Sequence, residues 1–143
     1  PTLMQLAARI GSPDFYQYFK AFGYLSKTGI DLPSESQTIF HTQSGLGTVE
    51  LAVASFGQRF KVTPLQQITA IAAVANGGYL VTPYVVDKIV DENGTVVKSI
   101  EPNVRRQVIS EETSAYMRTV LESVVNNNGG GNSYIQGYRI GGK

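Results

Sequence analysis

Thr63-Pro64-Leu65-Gln66-Gln67-Ile68-Thr69-Ala70-Ile71-Ala72-Ala73-Val74-Ala75-Asn76-Gly77-Gly78-Tyr79-Leu80-Val81 is the stretch on which the fold class turns. Thr63 stands three residues before Gln66, the spacing of a capping box, and Pro64 takes the first helical position, where its missing N–H costs nothing. Leu65, Ile68, Ala72 and Val74 to Ala75 follow at helical spacing, and the many alanines predict a helix packed closely on several sides. Asn76-Gly77-Gly78 ends it. From Tyr79 the period changes, and Tyr79–Val81 and Pro83–Val90 read as extended. A helix thus runs through a glycine stop into extended segments, so the chain carries both helical and extended parts.

Working toward the N-terminus, Thr48 to Ser55 reads as a short helix broken by Phe56-Gly57-Gln58. Residues 24–47 are rich in Gly, Ser, Thr and Pro and predict a long irregular segment, a length often tied to function or to a partner. Before it, Ser12 is read as the cap and Pro13 as the first residue of a helix carrying Phe15, Phe19 and Phe22 on one face, with Gly23 as its stop. That aromatic stripe reads as core. Thr2 and Gln5 form the capping box of a first helix with Leu3, Leu6, Ala7 and Ile10 on its apolar side, ended by Gly11. Working toward the C-terminus, Asn93-Gly94 between Ile89-Val90 and Val96-Val97 predicts a hairpin within residues 85–100. Arg106–Ile109 reads as a short strand. Ser110 with two following glutamates starts a helix to about Val125, with Met117, Leu121 and Val124 on its apolar face. Asn126–Asn132 predicts a mobile loop, and Tyr138-Arg139-Ile140-Gly141-Gly142-Lys143 a terminal strand running into a lysine.

The 143 residues suffice for one domain with a core. The composition, 42% hydrophobic and 16% charged, is globular. Twelve basic and eleven acidic residues leave +1, which gives no support to nucleic-acid binding. The longest basic run, Arg105-Arg106, reads as a solvated face. Without cysteine there is no disulfide, thiolate site or thiol nucleophile, and with His41 alone there is no histidine metal cluster. No cofactor is expected. No apolar run is long enough to cross a bilayer. Pro1 in place of methionine suggests processing or a cloned piece.

The ordered set of local patterns resembles the transpeptidase domain of class B penicillin-binding proteins, in particular the Gram-positive division and sporulation branch. Gly29-Ile30-Asp31-Leu32-Pro33 with Glu35 is similar to the family's GIDLPGE segment, with Ser34 where the family has glycine. Ser55-Phe56-Gly57-Gln58 and then Thr63-Pro64-Leu65-Gln66 are similar to its SFGQG…TPLQ stretch, with Arg59 where the family has glycine. Ala75-Asn76-Gly77-Gly78 and Pro83 are similar to its ANGG…P turn, and Gly137 to Lys143 to the lead-in of its Lys-Thr-Gly motif. These matches run through nearly the whole chain.

The resemblance implies an α+β fragment, residues 1–143, of the α/β penicillin-binding transpeptidase fold shared with serine β-lactamases. It should be mostly helical with a β-hairpin and lack most of the central sheet. It implies a parent protein that cross-links peptidoglycan stem peptides through a serine acyl-enzyme and binds β-lactams. That parent would be anchored to the cell membrane by a segment absent here, with the domain outside the cytoplasm. Family catalysis uses Ser-x-x-Lys, Ser-x-Asn and Lys-Thr-Gly. No serine here has lysine three residues on, and no Ser-x-Asn occurs. Pro1 resembles the helix start that follows the second motif, and Lys143 the first residue of the third. Lys143 is therefore the one catalytic-motif candidate, and the piece by itself is expected to be inactive. An apolar surface where the central sheet belongs would favour self-association.

Other readings are weighed against these. Lys27-Thr28-Gly29 spells the third motif but sits in the irregular segment and reads as a coincidence. His41 reads as a surface or satisfied polar residue. Asp31 with Glu35 could be a carboxylate pair, but Asp31 reads as ordering its own turn. Gln58 with Phe56-Gly57 reads as a structural break before a cleft lining. The Asn/Gly-rich loop lacks the Lys-Ser/Thr of a phosphate loop. A non-enzymatic binding module that uses residues 24–47, and a serine β-lactamase or carboxypeptidase, are the functional alternatives. The GIDLP and TPLQ matches speak against the latter.

Overall fold

The computed structural model describes residues 2–127 and 133–142. Helices α1 (Thr2–Ile10) and α2 (Ser12–Ala21) meet at Gly11. Gly11 closes the first by donating its N–H to Ala7 O and opens the second by accepting from Phe15 N. Its φ of 82° leaves the cap to glycine, so Ser12 is the first helical residue and makes no capping bond, contrary to the sequence reading. At the far end, Gly23 N–H binds Lys20 O and Tyr24 N–H binds Phe19 O. This is a Schellman stop with its customary apolar contact, the Tyr24 ring stacked 4.6 Å from Phe19.

Phe19 is the hub of the first core. It stacks on Phe40 at 4.1 Å and meets Phe60 edge-on at 5.3 Å. Phe40 and Phe60 come from distant segments, which an isolated bridge between Ile39 and Lys61 brings together. Residues 24–47 are irregular as expected, apart from a 3₁₀ turn at Gln43–Gly45. Helix α3 (Thr48–Ala54) packs Leu51 with Ala7 and Leu46. It ends where Gly57 N–H binds Ala54 O and Gln58 N–H binds Val53 O, so Phe56-Gly57-Gln58 is the structural break.

Helix α4 (Pro64–Ala75) carries the full capping box, Gln66 N–H on Thr63 Oγ1 at 3.1 Å and Thr63 N–H on Gln66 Oε1 at 2.9 Å. Ala70 and Ala73 are buried, as the alanine-rich sequence predicts. Strand β1 (Tyr79–Thr82) follows. The hairpin β2 (Lys88–Val90) and β3 (Val96–Ser99) is closed by Asp91, whose carboxylate accepts from Asn93 and Thr95 N–H. Of the extended stretch expected at Pro83–Val90, only Lys88–Val90 pairs.

The next strand lies earlier than Arg106–Ile109. β4 (Asn103–Gln107) pairs antiparallel with β1 across a bulge, and Val108 is drawn instead to Gly78 O. Arg106 is no free solvated cation. Its Nε and Nη2 donate to Ala21 O and Lys20 O at the end of α2. Helix α5 (Glu111–Asn126) is capped by Ser110, whose hydroxyl accepts from Thr113 N–H. Fully buried Ser114 joins it to α4, donating to Val74 O and accepting from Gly77 N–H. Met117, Leu121 and Val124 are half-buried on the expected face. Beyond Asn127, the loop predicted to be mobile lies outside the described residues.

The two small sheets, β1–β4 and β2–β3, are the only sheets among the described residues, and the rest is helical or irregular. On α1 only Ala7 of the apolar stripe is buried, and Leu3, Leu6 and Ile10 stay about half exposed.

Ser34 and Arg59 are the two non-glycine residues with positive φ among the described residues, at 65° and 64°. They occupy the two positions where the family pattern has glycine. Both side chains sit in a left-handed turn that glycine suits better. Returning either to glycine relieves about 1 kcal/mol of strain, partly offset by glycine's freer unfolded chain, for a net gain of about 0.5 kcal/mol each. Urea unfolding of Ser34→Gly and Arg59→Gly, singly and together, should show additive upward shifts, and a fall in midpoint would refute the strain.

Candidate active-site flank

The segment leading to Lys143 is held by α5. Gly142 N–H donates to Leu121 O at 3.0 Å. A Cβ on Gly141 would lie 3.0 Å from Leu121 Cβ, and one on Gly142 3.1 Å from Val125 Cγ2, so the paired glycines let the backbone lie against the helix. Arg139 grips Glu122 through two nitrogens, Nε–Oε2 at 2.9 Å and Nη2–Oε2 at 2.5 Å. The Arg139 hydrogen bond holds the Glu122 carboxyl below its usual range, and the same bond raises Arg139. Arg139 is 76% exposed, so this pair orients the segment more than it stabilises the fold.

Between this segment, α4 and α5 lies a groove of about 540 Å³, lined by Ile71, Ala75 and Leu121 with Gln67, Arg118 and Arg139 among its polar groups. Arg118 is fixed by Ala75 O at 2.8 Å and Ser114 Oγ at 3.2 Å. Residues 138–142 form no strand, contrary to the sequence reading. A strand exists only through a ladder to a neighbour, and the partner found here is a helix carbonyl. Lys143 itself lies outside the described residues. The Glu122–Arg139 pair, 17 residues apart, had no sequence signal, because each residue alone reads as a surface charge.

The other candidates resolve into structural roles. Asp31 reaches well beyond its own turn. Its two oxygens accept from Val85 and Val86 N–H at 2.9 Å, 54 and 55 residues on, which moors the base of the β2–β3 hairpin. Glu35 accepts from Thr28 N–H at 2.6 Å and Gly29 N–H at 3.1 Å. This closes Lys27-Thr28-Gly29 into a turn with Thr28 buried, so the look-alike triplet is architecture. His41 is not a satisfied polar residue. Its ring lies edge-on to Phe40 and its Nε2 is buried with no partner among the described residues.

Backbone bonds from Val86 and Val85 lower the Asp31 pKa. Burial pushes Glu35 up, but the Thr28 and Gly29 bonds and the Lys27 charge outweigh it. A carboxylate depressed on folding adds stability above its unfolded pKa and loses it as pH falls through the lower folded value. The urea midpoint should therefore drop from about pH 5 to about pH 3, around the ordinary carboxylate values. Asp31→Asn should start lower at neutral pH and fall less steeply. An unchanged slope would refute the mooring.

No three His, Asp or Glu side chains among the described residues gather to hold a metal. The family model for the penicillin-binding protein transpeptidase domain matches residues 2–143. This chain belongs to that family. It is similar to stage V sporulation protein D of Bacillus subtilis, 44% identical over 144 residues, covering 100% of this chain and 22% of that protein. Among solved structures it is similar to the D,D-transpeptidase domain of a peptidoglycan glycosyltransferase from Eggerthella lenta, with TM-score 0.85, 26% identity, and coverage of 99% of this chain and 38% of that one. It is also similar to penicillin-binding protein 3 of Mycobacterium tuberculosis complexed with aztreonam, with TM-score 0.78, 27% identity, and coverage of 97% and 30%. The chain thus spans about a fifth of the sporulation relative. The expected fold, a helix-rich α+β part of the penicillin-binding transpeptidase architecture, is the one observed.

Proposed function

We propose that this chain is a section of a peptidoglycan D,D-transpeptidase that works through a serine acyl-enzyme and is acylated by β-lactams. The match over residues 2–143, with the pinned lead-in to Lys143, carries that reading. In such a reaction a serine hydroxyl attacks the penultimate D-Ala carbonyl of a stem peptide. The terminal D-Ala leaves with a proton, and an amine of a neighbouring stem takes the acyl group. The contribution proposed for this chain is electrostatic. Lys143 places an ammonium beside the substrate carboxylate, and Gly141, Gly142 and the Arg139–Glu122 pair set the backbone that presents it. No serine of this sequence has the lysine partner the attack requires, so the nucleophile belongs to the rest of the parent. The half-exposed stripe Leu3, Leu6 and Ile10 would face that remainder. The parent is placed outside the cytoplasm and anchored to the membrane, in wall synthesis of division or sporulation. No helix among the described residues is long and apolar enough to cross a membrane.

Labelling with fluorescent penicillin and intact-mass measurement test both halves of the proposal. The full-length protein should gain one adduct, and the 143-residue chain none. An adduct on the chain alone overturns the assignment of the nucleophile, and an unlabelled full-length protein overturns the function.

A further inference from the structure

The β1–β4 ladder pairs Leu80 with Arg106 and then Val81 with Val104, leaving Arg105 as the extra residue of a bulge. Successive strand residues normally point to opposite faces, and a bulge re-aims one of them. Arg105 and Arg106 accordingly line the same cleft of about 480 Å³, together with Lys20, Gln17 and Ser26 from α2 and the turn after it. No acidic side chain lines it, and neither ion pair among the described residues involves these three cations.

Each guanidinium is anchored through part of its donor set. Arg105 reaches Lys27 O and Ser26 Oγ, both at 3.3 Å, and Arg106 reaches Ala21 O and Lys20 O at 2.7 and 3.1 Å. Among the described residues, Arg105 Nε and Arg106 Nη1 donate to nothing, and the Lys20 ammonium makes no hydrogen bond. Burial, and then the neighbouring Arg105 charge, lower the Arg106 pKa. Helix capping accounts for Arg106. It does not account for a bulge that turns a second arginine to the same side, against a lysine, with no counter-charge. Fixed, partly desolvated guanidinium forks with spare N–H groups are what oxyanion recognition uses.

We propose that Lys20, Arg105 and Arg106 form an anion site for a phosphate group, sharing no lining residue with the groove that Gly141 and Gly142 line. Three cations lining one cleft suit a dianion better than a single carboxylate. The phosphate is either a free monoester or inorganic ion, or one link of a phosphate chain.

Amide-resolved NMR titration of the protein with inorganic phosphate, at constant ionic strength, tests the site. Saturable shifts confined to Lys20, Ser26, Arg105 and Arg106 are expected, with a dissociation constant on the order of 1 mM. Lys20→Gln, an exposed side chain that makes no hydrogen bond among the described residues, should weaken binding about fivefold through the loss of one contact charge. Arg105→Gln should weaken it about tenfold through the loss of a charge-assisted fork. Lys98→Gln, an exposed cation on β3 that does not line the cleft, should change nothing. Tripolyphosphate binding tighter than phosphate at matched ionic strength assigns the chain form, and equal binding assigns the single group. Shifts spread evenly over surface cations, wild-type affinity in Lys20→Gln with its melting temperature intact, or equal binding of acetate would each overturn the proposal.

Discussion

Replacing Gln66 by leucine should cost about 3–4 kcal/mol, the largest loss expected from any polar residue here. Gln66 is 2% exposed, and its amide is used on both sides. Oε1 accepts from Thr63 N–H and lies 2.9 Å from Thr38 Oγ1, while Nε2 donates to Tyr24 O at 3.2 Å and Ser26 O at 2.8 Å. Leucine fills similar volume but strands the Thr63 cap N–H and the Ser26 carbonyl, while Tyr24 O keeps the Thr38 hydroxyl as a donor. Each such group loses on the order of 1–3 kcal/mol when desolvated without a partner. The expected readout is a large fall in urea midpoint with unchanged slope. Gln66→Glu keeps the cap acceptor but sets a carboxylate against two carbonyls, so it should be most stable at acid pH, where it is protonated. A shift below about 1 kcal/mol for Gln66→Leu would show that water replaces the amide.

Gly78→Ala should be at least as damaging, with a loss of about 3 kcal/mol or more. A Cβ there would fall 1.9 Å from Ile109 O and 2.8 Å from its carbonyl carbon, and φ is +94°. The obstacle is backbone, held because Gly78 O accepts from Val108 N–H at 2.7 Å while Gly78 N–H closes α4 on Ala73 O. Gly77 is the matched comparison. Its φ is +99°, but its Cβ would meet side chains alone, the Tyr79 ring at 3.3 Å and Glu111 Cγ at 3.7 Å. Gly77→Ala should therefore cost about 1 kcal/mol, the backbone strain alone. Thermal melts of the two variants separate close approach from φ preference, and equal losses would mean that the Ile109 carbonyl moves aside.

These two residues show what was legible and why. Gln66 was visible as half of a capping box because its partner Thr63 is three residues away. That it also carries Tyr24 and Ser26 was invisible, since those carbonyls lie 42 and 40 residues off. Gly78 was read as a helix stop, and the Ile109 carbonyl that forbids a side chain there arrives just past the end of β4, the strand that pairs with β1. The same division holds at the candidate site. The lead-in Gly137 to Gly142 could be matched from its letters, whereas its seat on Leu121 and Glu122 depends on how α5 lies against it. Arg105-Arg106, a bland surface pair in one dimension, became a clamp and a cleft once a bulge set both on one face.

The sequence by itself determined the helices, the hairpin and the family. Caps, glycine stops, apolar period and the Asn-Gly turn are all encoded within a few residues, where chain connectivity supplies proximity at no extra entropic cost. Only the tertiary structure decided the partners. It showed that Phe40 and Phe60 complete the Phe19 cluster, that Asp31 moors the hairpin and that residues 138–142 lie on a helix. Those contacts join groups far apart in the chain, and their energy depends on distances that no local pattern records.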